Sequence, residues 1–143
     1  MIISVTINNL ERIMDVFGSN AVAWVRDRSI KKAIFTLERF VKPETPLITG
    51  RLRNGYQSQF MPWYGRLFNP VKYAVYVHDW TRPYVITPTN KKALFWKTAS
   101  HPVRSVKHPW IKANPFMDRA IAKLEPVIDK IFEDEIDALF KKI

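Results

Sequence analysis

The chain has 143 residues, no cysteine and a formal charge of +10. That length suits one domain, residues 1–143, on the usual scale of about 100 to 200 residues. The missing cysteine excludes a disulfide framework and a thiolate metal site and fits an intracellular product, and 47% apolar with 13% aromatic residues excludes a disordered chain.

The charge is unevenly spread. Between residues 42 and 120, thirteen Lys and Arg stand against three Asp and Glu, whereas residues 121–143 carry four against six. A basic middle favours a polyanion or an acidic protein partner, or it serves as a solvated face. No apolar run approaches the roughly 20 residues of a membrane span, and Met1 to Ile7 lacks the basic flank and apolar stretch of a signal peptide. No membrane partner is expected, and the first residues are expected to belong to the fold.

Ile3, Val5 and Ile7 alternate with Ser4 and Thr6, which predicts a short strand. Asn8 and Asn9 offer an N-cap for a helix over Leu10 to Phe17, interrupted by Gly18, Ser19 and Asn20. A longer helix is predicted from Ala21 to Val41, with Ala23, Ile30, Ile34, Leu37 and Val41 on one stripe and Arg28, Lys31, Lys32 and Arg39 away from it. Pro43 and Pro46 stop it, and Thr49 and Gly50 suit a turn.

From Leu52 to Val77 the β-formers Tyr56, Phe60, Trp63, Tyr64, Tyr73, Val75, Tyr76 and Val77, punctuated by Pro62, Gly65, Asn69 and Pro70, predict two or three antiparallel strands. Tyr84 to Ile86, the turn residues Thr87 to Asn90, and Ala93 to Trp96 then read as a hairpin-like unit with Lys91 and Lys92 beside its tip. Lys97 to Pro109 reads as a mobile loop holding a short strand near Val103 to Val106. Asn114 and Pro115 open a C-terminal helix, Asn114 as its cap and Asp118 in its first turn. Met117, Ile121, Leu124, Ile128 and Ile131 form its apolar stripe, and Pro126 predicts a kink or a break. The predicted class is α+β: a long N-terminal helix packed on a small antiparallel sheet, with a C-terminal helix kinked or broken near Pro126.

No catalytic constellation emerges. His78, His101 and His108 lack the i, i+4 spacing of a helical zinc site. His78 and Asp79 could form a dyad, but neighbours in a strand point to opposite faces. There is no nucleophile elbow and no phosphate loop. Glu133, Asp134 and Glu135 read as a solvated helix face. No enzyme, cofactor or metal is expected. Lys91, Lys92, Lys97, Arg104, Lys107 and Lys112, interleaved with Trp96 and Trp110, suit nonspecific contact with nucleic acid, the tryptophans offering stacking surfaces. Core packing is the commoner fate of such large aromatics, and it is the one expected for both.

Three ordered stretches resemble one known family. Thr45-Pro46-Leu47-Ile48-Thr49-Gly50-Arg51-Leu52-Arg53 comes first. Tyr73-Ala74-Val75-Tyr76-Val77 follows, with Ile86-Thr87-Pro88-Thr89-Asn90-Lys91-Lys92-Ala93-Leu94. His108-Pro109-Trp110-Ile111-Lys112-Ala113-Asn114-Pro115-Phe116-Met117-Asp118-Arg119-Ala120 is the third. In this order they resemble the gene-product-ten family of lambdoid-type siphophages, minor tail or tail-completion proteins of the head-to-tail connection. The chain departs from that pattern at His78-Asp79-Trp80-Thr81, where the family has Glu-x-Gly-Thr, and at Trp110, where it has glycine.

The resemblance implies a virion protein of the head-tail junction, assembled in the host cytoplasm into a ring, six-membered if it matches the tail, between the phage connector and the tail-tube proteins. A basic middle repeated around such a ring would touch the backbone of double-stranded DNA passing through it. Lys91, Lys92, Arg104 and Lys107 are the expected DNA contacts; Arg51, Arg53, Pro88 and Trp110 are the expected subunit or partner contacts. The competing reading is a nonspecific nucleic-acid-binding module.

Overall fold

Ser19–Glu44 forms one helix of 26 residues, α1, and its inward stripe explains it: Val22, Ile30, Ala33, Ile34, Leu37 and Val41 are buried at helical spacing. The structure, a computed structural model, describes residues 2–6, 18–47 and 50–141. The helix predicted over Leu10 to Phe17, its caps at Asn8 and Asn9, and Thr49 of the predicted turn lie outside the described residues. Helix α1 outruns its prediction at both ends. Pro43 lies inside its last turn, and Thr45, held extended ahead of Pro46 at φ −75° and ψ 130°, is where the helix stops.

Beyond Gly50, which takes the left-handed φ of 76° expected of a turn glycine, Arg51–Asn54 is a short helix, α2, where a strand was predicted. Strand β1 (Ile2–Thr6), β2 (Gln57–Met61) and β3 (Tyr64–Phe68) make an antiparallel sheet with β3 in the centre. The register pairs Ile3 with the fully buried Leu67 and Ser58 with the same Leu67 from the other side. Pro62 and Trp63 turn β2 into β3, and Trp63 takes a φ of 67° that is rare without a glycine. The Arg26 guanidinium lies 4.0 Å from the centre of its ring, a cation–π contact that holds the turn against α1.

The Tyr73 to Val77 stretch, predicted as a strand, is the helical turn α3 (Ala74–His78). Its residue types favour a strand, yet Ala74 and His78, four apart, are both buried while Val75 and Tyr76 are exposed, a helical and not an alternating pattern.

Phe116–Phe140 forms α4, 25 residues long. Of the kink or break predicted at Pro126, the break does not occur. Pro126 and Ala122, whose carbonyl loses its partner to the proline, are both exposed. The N-cap is Pro115 with no side-chain cap, not Asn114.

The fold is α+β, a long N-terminal helix packed against a small antiparallel sheet and a long C-terminal helix. Helices α1 and α4 run antiparallel, fixed by ion pairs near both ends. Glu135, 1% exposed, meets Arg28 and Lys32 at 2.5 Å each, and Glu44 meets Arg119 at 2.7 Å and Lys123. Glu135 was read as part of a solvated face; it is buried because α1 supplies two cations for its carboxylate. No helix among the described residues is long and apolar enough to cross a membrane.

The chain divides into two compact units, Met1–Ala74 with Pro115–Ile143, and Val75–Asn114. Every fully buried apolar side chain among the described residues belongs to the first.

Candidate interaction surface

Thr45, Leu52 and Arg53 of the conspicuous Thr45 to Arg53 run take part in an internal clamp in the first unit. Thr45, 1% exposed, shares a 2.8 Å hydrogen bond with the Tyr56 hydroxyl, and its own hydroxyl donates to the Val41 carbonyl. Arg53 turns back to donate to the Thr45 carbonyl at 2.8 and 3.2 Å, and Asn69 donates to the Leu52 carbonyl at 2.7 Å. Burial pushes the Tyr56 phenol above its ordinary value of 10.0, against the opposing effect of its hydrogen bonds with Thr45 and Asn69. Arg53 is thus half-buried and engaged within its own chain, while Arg51 is exposed.

The second unit, Val75–Asn114, carries seven Lys and Arg against one carboxylate, Asp79. Its scaffold is a two-stranded ribbon. Strand β4 (Tyr84–Ile86) pairs antiparallel with β5 (Val106–His108), Tyr84 opposite His108 and Ile86 opposite Val106. The bridge Thr81 to Ile111 continues the same register, with two 3.3 Å backbone hydrogen bonds. That register sets Pro83 opposite Pro109. Both lack an amide proton, so the rung between Thr81–Ile111 and Val85–Lys107 is missing, which is why the ribbon divides into a strand pair and a separate bridge.

The hairpin predicted between Tyr84–Ile86 and Ala93–Trp96 does not form. Ile86 pairs with Val106, and Leu94 pairs instead with Val103, at N···O distances of 2.8 and 3.0 Å. The predicted strand near Val103 to Val106 therefore lies at Val106–His108, with Val103 as an outlying bridge. The cross-strand stack of Tyr84 on His108, ring centres 4.8 Å apart, favours this register, and nothing in the local turn chemistry reveals it.

This topology segregates two kinds of surface. Lys91, Lys92 and Arg104 lie exposed beyond the end of the β4–β5 ladder, with Pro88 half-buried beside them; Lys107 lies on the ladder opposite Val85. At the other end, strand alternation puts Arg82, Tyr84, His108 and Trp110 on one face. A shallow cleft of about 370 Å³ there is lined by Tyr76, Trp80, Thr81, Arg82 and Tyr84, and the Arg82 guanidinium stands 5.5 Å from the Trp80 ring.

Trp96 and Trp110, expected in a core, are 45% and 59% exposed, because the ribbon has no second layer to cover them. His78 and Asp79, which alternation would have kept apart, come within 2.6 Å, Nδ1 to Oδ1, because His78 closes a helical turn. Among the described residues no three His, Asp or Glu side chains gather as a metal site. No family model, curated protein or solved structure matches the chain.

Proposed function

We propose that this chain is a structural protein of a phage head-tail junction, a neck, tail-completion or tail-termination part. It assembles as a ring that joins the head connector to the tail tube around the path of the DNA. One observation carries the reading: the unit Val75–Asn114 contains no fully buried apolar side chain, yet exposes Tyr76, Trp80, Tyr84, Phe95, Trp96 and Trp110. Exposed apolar surface on that scale belongs to chains that bury it against other proteins. The ordered resemblance of the three sequence stretches to tail-completion proteins supports the same reading. In it, Lys91, Lys92, Arg104 and Lys107 neutralise phosphates of the passing duplex, and Arg51, Pro88 and Trp110 meet neighbouring subunits or partners.

Native mass spectrometry across concentration, alone and with connector or tail-tube proteins, tests the assembly role. Closed rings are expected; a chain that is strictly monomeric and binds neither partner refutes it. Lys91→Ala/Lys92→Ala is expected to weaken duplex binding and to lower the slope of log K against log salt by about 2. An unchanged slope removes these lysines from the DNA surface. A second reading, a nonspecific nucleic-acid-binding module, is favoured by the exposed Trp96 and Trp110 among cations. It predicts full binding by the monomer.

A further inference from the structure

We propose that the aromatic face of the ribbon in one copy docks on the acidic outer face of α4 in a second copy. This deepens the assembly reading and rests on it. The docking face is the end of the ribbon where Tyr84, Trp110, Trp80 and Arg82 stand exposed around the cleft, with Lys112 beside the Thr81–Ile111 bridge.

The occupant follows from charge. A chain of formal charge +10 repels its own copies unless a basic surface meets an acidic one. The α4 segment from Glu125 to Asp137 holds six carboxylates against Lys130 alone. Glu125, Asp129, Glu133 and Asp137 recur every four residues, all exposed, so they run as a line along the helix. None of the four makes an ion pair among the described residues; Glu135, on the inner face, is the carboxylate that α1 occupies. Phe140 is 52% exposed, and its spacing of seven from Glu133 and three from Asp137 puts it beside the acidic line.

An acidic helix face ending in an aromatic is the complement of an aromatic ribbon face carrying Arg82 and Lys112. Arg82 and Lys112 supply the cations for the carboxylate row, and Phe140 supplies an apolar contact for the ribbon's aromatics. Because the two surfaces differ, each copy offers one and uses the other. The contact is heterologous, the kind that builds a ring where its rotation closes.

Charge reversal on each side tests this. Asp129→Lys/Glu133→Lys and Arg82→Glu/Lys112→Glu, checked for folding by circular dichroism, are each expected to weaken self-association in sedimentation by roughly tenfold or more. An equimolar mixture of the two is expected to associate again, because each restores the partner the other lacks. If the helix reversal unfolds the protein, Asp129→Asn/Glu133→Gln supplies the same direction of change. Reversed variants that associate like the wild type overturn the docking while leaving ring assembly standing. A mixture that fails to recover also overturns it. A wild type that is monomeric at every concentration overturns docking and assembly together. Tyr84→Ala/Trp110→Ala that loses affinity for a single-stranded oligonucleotide, with self-association intact, overturns it in favour of a base-stacking platform.

Discussion

Thr45 joins three parts of the first unit through its hydroxyl and its carbonyl. Its hydroxyl joins the end of α1 to Tyr56, and its carbonyl receives Arg53. Replacing it by valine preserves shape and removes the hydroxyl from a buried site. Thr45→Val is expected to destabilise the fold by about 1–3 kcal/mol, read as a lower urea midpoint at unchanged slope. The sequence around it looks like a signature for function. At the level of side chains it is a device that ends one helix, starts another and ties both to the sheet.

Between elements, the tightest constraint lies at Gly65 in β3. A Cβ there would stand 2.5 Å from Cγ2 of Ile30 and 3.0 Å from Cγ1 of Ile34, so α1 lies directly against the strand. Because Ile30 is branched at its Cβ and fully buried, it has little room to give. Gly65→Ala is expected to cost about 1–3 kcal/mol in chemical denaturation, as overpacking does. The long helices and the β2–β3 hairpin are legible in the sequence because apolar periodicity and turn residues act locally. The β4–β5 pairing is not, because the two strands find each other across the nineteen residues 87–105, and alternation alone does not name a partner. Helix α3 is hidden for another reason: Val, Tyr and Val favour a strand, and only the burial of Ala74 and His78 reveals the turn. Of the candidate surface, its basic composition is readable from the sequence. The exposure of Trp96 and Trp110 depends on the missing second layer and is not.

At the scale of the whole molecule, the α1–α4 pair responds to acid. Burial pushes the Glu135 carboxyl up, but Lys32 and then Arg28 outweigh it and hold it below the ordinary value of 4.5. Hydrogen bonds from Lys123 and Arg119 lower Glu44 in the same way. Both carboxyls bind protons less readily in the folded chain than in the unfolded one. Their contribution is therefore complete above pH 4.5 and is lost as pH falls through their lowered values. Thermal midpoints are expected to be flat near neutrality and to drop below pH 4.5, with a shallower drop in Glu135→Gln. The facing prolines of the ribbon act at this scale too. A pull on the basic tip would first part Leu94 from Val103 and then unzip β4 from β5. At Pro83 and Pro109 no rung couples that strand pair to the Thr81–Ile111 bridge, whose two 3.3 Å hydrogen bonds close the base separately. The basic tip and the aromatic base of the ribbon are thus held by separate sets of backbone hydrogen bonds.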